Sequence, residues 1–199
     1  MKFNKTLTTL STLMLALSFS ASTLVSAEDT SPKTSTANTT LTFDDTGGDS
    51  QITLDTVPYF DFGTQMITGK PITVADIVGD PLLQVTNRGG AAGWGVTVAI
   101  SEFADVTTPT TKLVGPVLTF TAATPADNSG GGANTAVAAT GVINDAAKSV
   151  FYAPAGAGIG INTDEITAKL EIPANNVAGE YKAELTWTLT DVPNPLPQP

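Results

Sequence analysis

Apolar residues recur at every second position through much of this chain. Leu41 and Phe43 alternate with Thr, Ile52 and Leu54 with Thr53 and Asp55, and Phe60 and Phe62 bracket Asp61. Leu118 and Phe120 repeat the pattern, as do Ile166, Ala168, Leu170 and Ile172. A period of two places alternate side chains on opposite faces of an extended backbone. The runs hold β-branched and aromatic residues, and Gly, Pro, Asn and Asp bound them. That combination predicts half-buried antiparallel strands. About nine such runs predict an all-β fold, an antiparallel β-sandwich or barrel-like sandwich with little helix.

Helix has little room. Thr135 to Lys148 is rich in Ala and is the one candidate for a short helix, although Gly141 interrupts it. Gly130-Gly131-Gly132 and the stretch from Gly156 to Gly160 read as flexible loops. Neither is followed by Gly-Lys-Ser/Thr, so a phosphate-binding loop is not supported.

Both tryptophans lie on strand-like segments. From Tyr181 to Thr190, the residues Tyr181, Ala183, Leu185, Trp187 and Leu189 fall on one face; Lys182, Glu184, Thr186, Thr188 and Thr190 fall on the other. From Trp94 to Ser101, the residues Trp94, Val96, Val98 and Ile100 share a face. Each Trp sits on the apolar face, where a large aromatic first reads as a core residue. A binding role requires it at an exposed face or sheet edge, stacking on a sugar ring or packing into a partner's groove. The shared pattern predicts that the two strands lie together. One Trp is expected mostly buried, with flanking residues exposed at the edge where a partner docks.

The N-terminus has a different character. Lys2 and Lys5 precede an apolar stretch centred on Leu10 to Phe19, and Val25-Ser26-Ala27 offers small residues at the two specificity positions. This predicts a secretory signal peptide over residues 1–27, cleaved after Ala27. Residues 28–38 read as a flexible Ser/Thr-rich linker, 39–193 as the folded domain and 194–199 as a Pro-rich tail. Beyond the signal no stretch reaches the ~20 apolar residues of a spanning helix. Leu196-Pro197-Gln198-Pro199 lacks the Thr-Gly of a sortase signal, so attachment to a cell is expected to be non-covalent.

Composition then removes whole classes of chemistry. Charged residues are 14% of the chain, with 19 acidic against 9 basic and Arg88 the single arginine. Phosphate contacts need clusters of Lys and Arg, so nucleic acid is excluded as a partner. With no Cys and no His, the chain forms no disulfide and no Ser or Cys triad. Glu102, Glu165, Glu171, Glu180 and Glu184 are candidates for a carboxylate pair, but nothing in their spacing selects two of them. Asp44, Asp45 and Asp49 around Gly47-Gly48 read as an acidic turn, because their spacing does not fit a calcium loop. Arg88 reads as a structural ion pair or a donor to loop carbonyls. No enzyme activity, cofactor or metal is expected.

Two motifs carry a resemblance. Trp187-Thr188-Leu189, within Tyr181 to Asp191, resembles the C-terminal signature of the WxL-domain family of Gram-positive cell-surface proteins. Trp94-Gly95-Val96, preceded by Val85-Thr86-Asn87-Arg88-Gly89 and Ala92-Gly93, resembles that family's upstream motif, with Val96 where a Leu is usual. The segment Leu54 to Gln65 is similar to its entry region. The resemblance implies a secreted protein at the cell surface, held non-covalently to the cell wall, with peptidoglycan as ligand. It also implies an alternative partner, a membrane-anchored WxL-interacting surface protein. The two triplets, Trp94, Gly95 and Val96 with Trp187, Thr188 and Leu189, are the candidate wall- or partner-binding residues.

Overall fold

The computed structural model describes residues 37–42, 51–128 and 136–191. Leu41–Pro199 forms one compact unit, separate from Met1–Thr40, and the strands all lie in the former. In chain order they are β1 (Ile52–Thr56), β2 (Ile72–Val78), β3 (Leu83–Asn87), β4 (Trp94–Ile100), β5 (Ala104–Asp105), β6 (Val117–Ala122) and β7 (Ala126–Asp127). Then follow β8 (Val137–Ala138), β9 (Gly141–Ile143), β10 (Lys148–Ala153), β11 (Gly160–Asp164), β12 (Ile166–Ile172), β13 (Tyr181–Lys182) and β14 (Leu185–Thr190). No helix occurs among the described residues. The fold is all-β, with antiparallel sheets and no closed barrel.

Three sheets have four strands each, in the orders β1-β3-β11-β7, β14-β4-β10-β8 and β2-β12-β6-β9; β13 and β5 make a small fourth. The first and third are continuous at a corner. β2 stops at Val78 and re-emerges as β3 at Leu83, β6 stops at Ala122 and β7 begins at Ala126, and only Glu165 separates β11 from β12. Pairing holds on both sides of the bend: Thr167 opposes Val78 and Asp164 opposes Leu83, while Ile166 opposes Ala122 and Thr163 opposes Ala126. Gly79 N–H donates to the Ile166 carbonyl at 2.8 Å and Ala123 N–H to that of Glu165 at 3.0 Å. Three neighbouring strands thus turn together from one sheet into the other.

The core forms where inward faces meet. Trp94, Val96 and Val98 of β4 and Phe151 and Ala153 of β10 join Leu118 and Phe120 of β6, Ile166, Ala168 and Leu170 of β12, and Leu83 and Val85 of β3. All are buried, as their two-residue alternation requires.

Several expectations need correction. Leu41 is 91% exposed and outside any strand; its partner in the alternation, Phe43, lies outside the described residues. Phe60 and Phe62 pack against the core but form no strand, only a bridge between Tyr59 and Asp80. Pro58 has no N–H to give a ladder, and Asp61 accepts the Gly63 N–H at 2.8 Å and turns the chain. The Ala-rich stretch from Ala136 holds β8, β9 and the start of β10 instead of a helix. Val137, Val142 and Ile143 suit strands, and Asn144 accepts the Ala146 N–H to make a turn. The signal segment with Ala27, the acidic turn, Gly130–Gly132 and the Pro-rich tail lie outside the described residues.

Candidate functional site

The approach to Trp94 is built from the end of β3. Asn87 is buried, and its side-chain oxygen accepts the N–H groups of Gly90 at 2.7 Å and Gly89 at 3.1 Å. Its amide donates to the Gly90 carbonyl at 2.9 Å. One side chain thereby closes the loop that delivers the backbone to β4. Gly93 precedes the indole at φ +74°, and a Cβ there would lie 2.7 Å from the Ala153 carbonyl oxygen. Only glycine fits such a position.

Trp94 itself is fully buried. Its indole N–H donates to the Gly158 carbonyl at 3.1 Å, and the same oxygen accepts the Asn162 amide at 2.8 Å. The ring meets Phe151 edge-on, with centroids 4.9 Å apart and planes at 72°. Gly158 has φ +59°, and an added Cβ would stand 2.4 Å from the Ala153 methyl and 2.8 Å from the indole nitrogen. Within the Gly156 to Gly160 stretch, Gly158 is therefore fitted closely against Trp94, an anchor that the composition of the loop does not reveal.

Beside this strand lies β14. Their register sets Trp187 opposite Val98, Thr188 opposite Thr97, Leu189 opposite Val96 and Thr190 opposite Gly95. The two motifs are thus cross-strand neighbours. Gly95 and Val96 are buried with Trp94, while Trp187 and Leu189 are half-buried and Thr188 is exposed. Trp187 lies nearly parallel to Phe120, at 6.0 Å and 11°, and Phe120 packs on Phe60 at 4.8 Å. Thr186 also faces solvent. The long strand expected from Tyr181 to Thr190 divides at Ala183 and Glu184, where the Ser101 hydroxyl accepts the Glu184 N–H at 2.8 Å.

Charged groups near the site are sparse. Glu102 lies 4.0 Å from Lys112, Glu171 3.2 Å from Lys169 and Glu180 3.4 Å from Lys182. Among the described residues no three carboxylates gather into a set that could hold a metal. On the first sheet Asp55 accepts hydrogen bonds from Thr53 at 2.6 Å, Gln84 at 2.9 Å and Thr86 at 2.5 Å. Burial alone would raise its pKa, but the hydrogen bonds from Gln84, Thr53 and Thr86, with the nearby Arg88 charge, hold it below the usual carboxylate value. Asp164 is different. It is 1% exposed, its carboxylate oxygens have no hydrogen-bond partner, and it sits at the corner between the sheets.

A family model, the WxL domain described as surface cell wall-binding, matches residues 15–193. The chain belongs to the WxL family. No curated protein matches it. Membership supports a cell-surface, wall-binding role, in a family that is not catalytic. Within this WxL domain the upstream motif is interior structure, and the downstream motif reaches the surface. The sequence shows Asn87 only as part of the upstream motif and Phe120 only as a strand residue; their contacts beside the two Trp strands, and those of Gly158 and Asn162, emerge from the structure. Asn87-Arg88-Gly89-Gly90 following an apolar run was a readable turn signal. Asn162 donates to the carbonyls of Gly158 and Gly160, four and two residues before it, and no motif in the sequence marks that bond.

Proposed function

We propose that this WxL domain is exported, cleaved after Ala27 and held non-covalently on the Gram-positive cell wall, with peptidoglycan as ligand. Residues 28–38 act as a linker to the 39–193 domain, and 194–199 as its tail. The observation that carries this reading is the division of the motif. Trp94, Gly95 and Val96 form the buried backing strand, and Trp187, Thr188 and Leu189 lie at a sheet edge open to solvent. The exposed hydroxyls of Thr186 and Thr188, on the face of β14 opposite Trp187, suit an uncharged saccharide surface that offers hydrogen-bond partners. Charge is not the attraction, since the chain carries a net −10. Catalysis has no place in this reading. A membrane-anchored WxL-interacting surface protein is the alternative mount.

Co-sedimentation of the exported chain with purified sacculi, in the absence of any other protein, tests the proposal. The chain is expected in the pellet at both low and high salt, because screening weakens only charge-driven binding. Trp187→Ala is expected to lower retention about ten-fold, equivalent to roughly 1.4 kcal/mol. A chain that stays in the supernatant rules out peptidoglycan and leaves the protein mount.

A further inference from the structure

In an antiparallel ladder, alternate residues of an edge strand direct their N–H and C=O groups inward to the neighbour or outward to solvent. The parity of β14 is fixed at its start, where Ser101 N–H donates to the Glu184 carbonyl at 2.9 Å. Ser101 is opposite Glu184 in the same register that sets Thr186 against Ala99, Thr188 against Thr97 and Thr190 against Gly95. On β4, the Ile100 N–H turns the other way, to the Asn144 carbonyl at 2.9 Å. The backbone groups of Leu185, Trp187 and Leu189 therefore face away from β4, and no described strand lies beyond them.

The other sheet edges are blunted. β1 carries a bulge at Asp55, and β2 one that contains Asp76 at φ +58°. β7 and β8 have two residues each and β9 has three. Bulges, charges and brevity are the usual protections of an edge against pairing. β14 has none of them. It runs six residues, Leu-Thr-Trp-Thr-Leu-Thr, without charge, proline or break in register. Acidic residues stand at both ends, Glu184 and Asp191, and both are exposed.

We infer that the outer edge of β14 receives an extended strand of a partner protein, whose basic residues meet Glu184 and Asp191. The strand pairs with the outward groups of Leu185, Trp187 and Leu189 and lays alternate side chains beside Trp187, the mode of strand addition to an exposed edge. A second copy of this chain fits less well, because its own β14 has the same acidic ends. The inference rests on β14 being the docking surface, not on which wall component the protein recognises.

Amide exchange followed residue by residue on the exported chain tests it. In the free protein the N–H groups of Thr186 and Thr188 are expected to be protected, and those of Leu185, Trp187 and Leu189 to exchange freely. A synthetic peptide, Lys-Thr-Val-Thr-Val-Thr-Lys, is expected to slow those three by about ten-fold or more. The same peptide with its pairing amides N-methylated should have no effect, and a Glu-capped version should bind about ten-fold more weakly. Thr188→Lys, at an exposed position, should keep the fold and weaken the Lys-capped peptide. Three outcomes overturn the inference: no response to the peptide, an equal response to the N-methylated one, or protection that rises with protein concentration alone, which marks a second copy as occupant. The peptide decides strand addition and the sacculi decide wall binding, so either reading can fail without the other.

Discussion

Trp94 and Trp187 have the same sequence context and different fates. Trp94 is fully buried, with Phe151 edge-on to its ring and the Gly158 carbonyl on its indole N–H. Trp94→Ala is therefore expected to cost on the order of 3–5 kcal/mol, as for other large buried aromatics. Trp187 stacks on Phe120 but is only half-buried, so Trp187→Ala should cost roughly 1–2 kcal/mol and leave a folded chain. Thermal or urea melts of the two variants check this, and equal losses would remove the distinction between interior and edge. Asp164 has a separate consequence. Burial pushes its pKa up to about 7, and the neighbouring Glu165 charge adds a smaller push in the same direction. In the unfolded chain the group titrates near 3.8. Between about 4 and 7 the folded state thus holds a proton that the unfolded state has released, and stability falls as pH rises through that window. The difference of about three units amounts to on the order of 4 kcal/mol at most. Urea midpoints measured from pH 4 to 8 should show the decline, and Asp164→Asn should flatten it.

At the level of elements, what could be read from the sequence was whatever depended on local alternation. β4, β6, β12 and the body of β14 follow their period-two pattern because each buries one face against the same core. What could not be read depended on distant partners. Phe60 and Phe62 alternate like a strand, yet their backbone follows Pro58 and Asp61, and Phe60 is fixed instead by Phe120 and by Gly79, where a Cβ would come within 2.7 Å of its ring. The Ala-rich run was misread because helix propensity is a weak prior, overridden here by the free sides of β6 and β10 that β9 and β8 fill. For the candidate site, the pairing of the two motifs was legible from their matching faces. The asymmetry between them was not, since nothing local distinguishes a central strand from an edge strand.

Over the whole molecule, cohesion comes from the core and the ladders. The ion pairs named above, among the described residues, lie at partly or fully exposed positions, where each contributes about 0–1 kcal/mol and fades with salt. The chain has no cysteine, so no crosslink supports the fold. The corner at Glu165 then bears on how the protein comes apart. Because β2–β3, β6–β7 and β11–β12 each run through the first and third sheets, neither of these can melt while the other keeps its register, and the β14-β4-β10-β8 sheet shares their core. Unfolding should accordingly be a single cooperative event. Scanning calorimetry is expected to show one endotherm, with calorimetric and van't Hoff enthalpies in agreement. Two resolved transitions would mean that the corner is a joint between separate bodies. A protein mounted on a wall that swells and strains would then yield in stages, whereas a continuous belt holds until it fails as a whole.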